Sequence, residues 1–556
     1  MNTFEIIIEN TNERRTVEAG ISLAELAKEY YTTPMELPVL GAFVNNVVED
    51  MQYCLYSPKT VRFFDITSGQ GWRMYQSSLI FMLYKALRDT YPQATLSVKH
   101  SLRGGFYCTI SGTTEVERFQ VAEVVRERMI ELQHQNLPFE TRGMLLTEAI
   151  DLIRNAGIPE TLKLLESLNQ LYITLDFLDG TPHKLASKLV PSTGCLTSWD
   201  FRPYSEEGFM LQLPDQRHLD KQPILPDTPK LFSIFKEHHR WVDLLHVPTI
   251  TDLNRIVRDK GENHLIHVSE ALHEKKYAEI ADMIYQRRDH VRMVLLAGPS
   301  SSGKTTSCRR LSVQLSVLGF DVKQLSLDDY FVSRDRTPKL PNGEYDFESI
   351  DALDIPLLNE HLLRLFNGEC VEIPTFDFLK GNPYFDGKSL QLGANSILVV
   401  EGIHALNPKL TAQIADDLKF RVYVSALTQI AIDDANIIHS SENRMLRRIV
   451  RDNNFRGWDA FNTLHRWAEV RRGEEKNIFP YQENADVMFN SALLYELGVL
   501  KLYAEPQLKR IPENCPEFAE AHYLLKFLDL IDPIDPKYIP PTSIMREFLG
   551  GSSFEY

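Results

Sequence analysis

Residues 295–306 read LLAGPSSSGKTT, an apolar run feeding a loop of small residues that closes on Gly303, Lys304 and Thr305. The chain entering the loop, VRMVLLAG (291–298), is apolar enough for a strand covered on both faces, and the chain leaving it, TTSCRRLSVQLSVLG (305–319), has helical spacing. Glycines in such a loop let backbone amides turn inward around an anion, and the helix that follows aims its positive end at the same point. Gly298, Ser300, Ser301, Ser302, Gly303, Thr305 and Thr306 therefore read as a cradle for nucleotide phosphates. Lys304 would reach the outer phosphates, and the Thr305 hydroxyl would ligate Mg²⁺. ATP with Mg²⁺ is the expected pair, although the pattern does not separate ATP from GTP.

Outward from the loop, SILVVEG (396–402), FRVYVSA (420–426) and DVMFN (486–490) repeat the short apolar run between helical stretches. That alternation predicts an α/β unit with a parallel sheet covered by helices. Phosphoryl transfer is chiefly positioning and charge neutralisation, so an acceptor base, a metal-associated acid and mobile cations are the parts to find. QLSLDDYF (324–331) sets Asp328 and Asp329 just past an apolar run, where a parallel strand presents its C-terminal end beside the loop. Glu401 follows four apolar residues, a position suited to a magnesium-associated acid. RMLRRIVRDNNFRG (444–457) concentrates Arg444, Arg447, Arg448, Arg451 and Arg456, whose planar guanidiniums suit triphosphate oxygens.

The ordered set AGPSSSGKTT, SLDDYF, GEYDFESIDALD, IPTFDF, VVEGIHALN, RRIVRDNNFRG and ADVMFNSAL, running from Ala297 to Leu493, resembles the uridine kinase and phosphoribulokinase family of P-loop kinases. The resemblance implies transfer of the ATP γ-phosphoryl group to a sugar hydroxyl, typically the 5′-hydroxyl of a pyrimidine nucleoside. It implies that Asp328 takes that hydroxyl's proton and also stands by the metal with Thr305 and Glu401. It further implies that Asp346 holds ribose hydroxyls, that Phe376 and Phe378 line the base pocket, and that Arg448, Arg451 and Arg456 close over the phosphates. A carboxylate can accept from two hydroxyls, an aromatic face can stack on a planar base, and a closing lid limits loss to water. The chain departs from the uridine-cytidine kinases in three places: Lys380 and Gly381 stand where a pyrimidine-reading histidine is usual, Phe376 replaces a tyrosine, and Trp458 stands where another arginine is common. The implied phosphate handling is intact; the acceptor's base is left open.

Before residue 291 the pattern differs. TFEIIIEN, RRTVEAG, SLAELAKEY, LGAFVNNVVED and TVRFFDIT predict strand, strand, helix and further strands, a small β-grasp unit over 1–67. MYQSSLIFMLYKALRDTYP and ATLSVKHSLRGGFYCTI open an α+β unit over 68–225, with a helix stopping at Tyr-Pro and two strands about a Gly-Gly turn. These two units resemble the TGS domain and second additional domain of threonyl-tRNA synthetases, in the order found in a bacterial subgroup with a uridine kinase-like domain behind them. The synthetase's editing histidines are missing from YQSSLIFMLYKAL, and TPHKLASKLVPSTG has no Cys-x-x-x-His, so metal-dependent editing loses its ligands. His100 and the His238-His239 pair of KEHHRW read as packing or surface residues, since adjacent helical histidines point apart. Helices are expected to connect over 226–290, with the kinase-like unit over 291–492. The tail over 493–556 reads as packing or oligomer surface.

The length of 556 residues calls for several domains, and 43% hydrophobic with 24% charged residues is a globular composition. A net charge of -16 disfavours a surface that coats nucleic acid, which is left open only for the N-terminal half. Six scattered cysteines without a C-x-x-C pair suit a reducing compartment. Neither a signal-like N-terminus nor a bilayer-length apolar run is seen, so a cytoplasmic protein without a membrane partner is expected. The partner that follows is a small nucleoside or sugar alcohol, with a second copy of the chain admitted. One other reading stands beside the kinase: a nucleotide-sensing regulator binding RNA or a small ligand through the N-terminal units.

Overall fold

The computed structural model describes residues 3–30, 37–102, 104–113, 116–205, 207–216, 218–219, 228–340, 343–377 and 380–555. The C-terminal half is organised by five parallel strands in the order Asp321–Ser326, Ser396–Glu401, Met293–Ala297, Lys419–Ser425 and Val487–Asn490. Every residue of the central strand Met293–Ala297 is buried, as a parallel strand with helices on both faces must be. The register places Glu401 opposite both Leu296 and Ser326. The loop after Ala297, the turn after Ser326 and Glu401 itself therefore open along one edge of the sheet, where ligands of such sheets sit.

The helix Lys304–Val317 leaves the loop and packs beneath the sheet. Across it lies the connector helix Glu262–Tyr285, whose Tyr277 hydroxyl is 2.9 Å from the Ser307 hydroxyl and whose Glu274 accepts from Arg310 at 2.7 Å. One apolar core joins connector, sheet and tail: Ile280 and Ile284, Val294 and Val399, and Leu500, Leu524 and Phe548 belong to it together. The connector and the tail are thus layers of the kinase-like unit's own core.

In the N-terminal half, a five-stranded sheet runs Glu13–Glu18, Thr3–Ile8, Thr60–Phe64, Gly41–Val44, Val47–Glu49. Thr3–Ile8 is antiparallel to its hairpin partner and parallel to Thr60–Phe64. The helix Leu23–Tyr30 buries Leu23 and Leu26 against Ile6, Ile8, Val61 and Phe63. The next core is built around the helix Gly69–Thr90, capped by the Ser68 hydroxyl on the Gly71 amide and ending at Tyr91 just before Pro92. It packs with a four-stranded sheet that includes Thr95–Leu102 and Gly105–Ser111, and with the three strands Phe139–Leu145, Tyr172–Leu178 and Thr181–His183. His100 stacks on Phe235 at 3.9 Å and is buried, as a packing histidine should be.

The halves are tied at several points. Arg73 grips Glu520 of the tail through two bonds of 2.6 Å, the Thr161 hydroxyl donates to Asp433 at 3.0 Å, and the Val98 amide donates to the Asp434 carbonyl at 2.8 Å. Among the described residues no helix is long and apolar enough to cross a membrane.

Candidate active site

Two backbone constraints shape the loop. A Cβ on Gly298 would lie 1.9 Å from the Val424 carbonyl oxygen of the neighbouring strand, so any side chain there pushes loop and sheet apart. Gly303 has φ +78°, the left-handed region that glycine enters without strain, and Ser301 shares that region at +56°. Three arginines hold the loop from outside: Arg444 donates to the Ser300 carbonyl at 3.0 Å, Arg447 to the Ser301 carbonyl at 3.4 Å, and Arg448 to the Ser300 hydroxyl at 2.7 Å. Arg444 and Arg447 are buried and committed, the first to Glu474 and the second to Glu496. They are clamps on the loop. The Glu474 carboxylate, which burial alone would drive toward protonation, is held ionised by Arg444 and Arg471 and accepts from the Ser300 amide at 3.1 Å.

Inside the loop, the Lys304 ammonium turns back to donate to the Pro299 carbonyl at 3.1 Å. Burial lowers its pKa, and Glu401, Asp328 and Glu547 act against that shift, so these carboxylates share its field. The Thr305 hydroxyl donates to Glu401 at 3.2 Å. Burial pushes the Glu401 carboxyl up to about 7, with Lys304 opposing and Asp328 adding to the rise.

Asp328 sits on the tight turn Leu327–Tyr330 that follows the edge strand, its amide capped by Ser326. Asp328 is open to solvent, yet the protein crowded around it raises its pKa, while Lys304, Arg456 and Arg451 act to keep it ionised. Its neighbour differs: Asp329 is paired with Lys388 at 3.7 Å. The structure therefore brings Lys304, Thr305, Asp328 and Glu401 together at one end of the sheet, with Lys304, Thr305 and Glu401 half-buried and Asp328 open to solvent, and leaves Asp329 at its margin beside Lys388.

Arg448, Arg451 and Arg456 converge on Asp452 at 3.2, 2.9 and 3.7 Å. One carboxylate cannot neutralise three guanidiniums. Burial, followed by repulsion from Arg451, lowers Arg448 and brings Arg456 down to about 10. Such a group of guanidiniums beside the loop offers forked donors to an incoming polyphosphate.

Sequence reasoning missed Glu348. It lies two residues beyond Asp346, and burial with the nearby Glu474 pushes its carboxyl up to about 7, against Arg448 and Lys304. Asp346 is half-buried, and its amide donates to the Pro338 carbonyl at 2.8 Å. Glu348 is the carboxylate of this segment that shares the field of Lys304 and Asp328. An aromatic row runs beside the acids: Phe331 meets Phe376 at 5.6 Å and Phe347 at 6.4 Å, and Phe347 meets Tyr345 at 5.8 Å. Phe378 lies outside the described residues.

Residues 293–493 match the model of the Phosphoribulokinase / Uridine kinase family. Over these residues the chain is similar to that family. A uridine kinase of Chlamydia pneumoniae is 26% identical over 231 residues, covering 41% of this chain and 94% of that protein. A uridine kinase of Staphylococcus haemolyticus is 29% identical over 194 residues, 35% of this chain and 84% of that protein. A Bacillus stearothermophilus structure described as a possible uridine kinase covers 39% of this chain and 98% of its own, at 19% identity and a TM-score of 0.27. The family match leaves the N-terminal half untouched.

Within the family unit the donor set fits Mg²⁺. Among the described residues no three His, Cys, Asp or Glu side chains gather as a metal site. Mg²⁺ needs only one or two protein oxygens beside substrate phosphates, and the Thr305 hydroxyl with the half-buried Glu401 carboxylate supplies them. At the departure noted in the lid, Arg466 stacks over Trp458 at 4.6 Å, so a guanidinium from the next helix accompanies the tryptophan.

Proposed function

We propose that the chain is an ATP-dependent kinase that passes the γ-phosphoryl group to a sugar hydroxyl, in the first instance the 5′-hydroxyl of a uridine- or cytidine-like nucleoside. The observation that carries this reading is the placement of Asp328, on the turn after the edge strand, and Lys304, after the central strand, at one end of the sheet, where each acts on the other's charge and Arg451 and Arg456 join them. A hydroxyl held there gives its proton to the Asp328 carboxylate while its oxygen bonds the terminal phosphorus and the bridging oxygen departs with ADP. Lys304 and the three arginines on Asp452 stabilise the charge that spreads over the moving phosphoryl group. Bound Mg²⁺ would be held by Thr305 and Glu401, and would neutralise phosphate oxygens. Glu348 would hold acceptor hydroxyls, with Asp346 next to it in sequence, and the row Phe331, Phe347 and Phe376 would flank a planar base.

The N-terminal units act, in this reading, on the kinase through its tail and through the loop Asp433–Asn436, where Arg73, Thr161 and Val98 make contact. Incubation of the whole chain with ATP, Mg²⁺ and a panel of nucleosides, sugars and sugar phosphates tests the assignment. A phosphorylated acceptor supports it; nucleotide binding with no phosphorylated acceptor favours the regulator.

A further inference from the structure

The amide and the hydroxyl of Thr306 both donate to one carboxylate oxygen of Glu547, at 3.2 and 2.6 Å. Thr306 stands in the first turn of the helix that leaves the phosphate loop, where free amides and the helix dipole favour an anion. Glu547 comes from 241 residues further along the chain, on the short helix Met545–Leu549. The segment around it is seated on the loop. Ile544 is fully buried, and its Cγ2 lies 2.6 Å from where a Cβ on Gly303 would be. Phe548 is buried beneath the Arg447 guanidinium at 5.2 Å, and its carbonyl accepts from Asn454 at 3.0 Å. The Ser543 hydroxyl donates to Glu270 of the connector at 2.5 Å.

We propose that Glu547 is an internal phosphate mimic: residues 543–549 occupy an anion position of the donor site, and a nucleotide triphosphate must displace the Glu547 carboxylate from Thr306 to bind fully. The inference rests on reading the loop as a nucleotide site. Two acids, Asp328 and Glu401, already share the field of Lys304, and Glu547 adds a third, so the seated tail makes the site less welcoming to a polyanion. Displacement would return the Thr306 amide and hydroxyl to phosphate oxygens and remove one negative charge from beside Lys304. Earlier in the tail, Glu520 of the helix Phe518–Asp529 is held by Arg73 of the N-terminal half.

The test is calorimetric titration of the full-length protein with Mg²⁺ and ATP, for wild type, Glu547→Ala, Glu547→Gln and the exposed control Glu555→Gln, alongside hydrogen exchange of residues 543–551 with and without ATP. Glu547→Ala should bind ATP about five- to tenfold more tightly, the scale of one competing hydrogen bond net of its exchange with water. Glu547→Gln keeps the acceptor oxygen but loses the charge and should gain part of that, while Glu555→Gln should match wild type. ATP should increase exchange in 543–551. Unchanged or weaker ATP binding by Glu547→Ala, with wild-type binding intact and 543–551 still protected, would overturn the mimic and leave the nucleotide reading standing. Absence of ATP binding by every folded variant would remove the nucleotide reading and the mimic together.

Discussion

The Thr305 hydroxyl donates to the Glu401 carboxylate at 3.2 Å, joining the first turn of the loop's helix to the end of the adjacent strand. A half-buried acid so placed, in the field of Lys304, is suited to a divalent cation and disfavours its own charge without one.

Stability of the ligand-free protein should therefore fall as pH rises. Glu401 and Glu348 both move from 4.5 up to about 7, so between those values the folded chain keeps protons that the unfolded chain has lost. A raised carboxyl pKa means that stability declines through this window and levels off above it. Glu401→Gln should flatten its share of the decline, on the order of 2 kcal/mol, in urea unfolding measured from pH 4.5 to 8. An unaltered pH profile would show that Glu401 is ionised throughout.

Asp328→Asn should keep ATP affinity near wild type and lower kcat by about 10²- to 10⁴-fold, the usual worth of a positioned base. Asp329→Asn, whose residue is paired with Lys388, should lose far less. Steady-state kinetics with the acceptor found in the panel compare the two, and equal losses would remove the distinction between these neighbours.

Glu474→Ala should unfold at much lower denaturant. It leaves Arg444 buried without its carboxylate and frees the Ser300 amide, a change that costs about 3–5 kcal/mol when one member of a buried pair is removed. Chemical denaturation reads this directly, and a loss below about 1 kcal/mol, the range of exposed pairs, would contradict the clamp.

How much of this the sequence carried depended on chain distance. The phosphate loop was legible because its glycines, lysine and threonine act within a few residues, and the four apolar runs became strands of the sheet because burial on both faces leaves a continuous signature. The stretch 444–456 marks Arg448, Arg451 and Arg456 by resemblance and gives Arg444 and Arg447 no separate role; these two answer to Glu474 and Glu496, 30 and 49 residues away, and only the packed helices show that they turn inward. Glu348 and Asp346 differ by two positions in a turn whose geometry no short pattern fixes. The tail carried no phosphate signal of its own: Glu547 acquires meaning only from Thr306, a contact made by folding across the whole kinase-like unit.

Glu348→Gln should raise the acceptor's KM about tenfold, as expected for a lost charge-assisted hydrogen bond, with ATP affinity unchanged. Asp346→Asn should move the KM less, since its segment places Glu348 within the field of Lys304. The opposite ranking would return the acceptor-holding role to Asp346.

The most direct test of the central claim is mass spectrometry of the nucleoside and sugar panel incubated with ATP, Mg²⁺ and either the wild-type chain or Asp328→Asn. The account predicts an acceptor that gains one phosphoryl group with the wild type and gains almost none with Asp328→Asn, although both bind ATP. Equal product from the two proteins would contradict it.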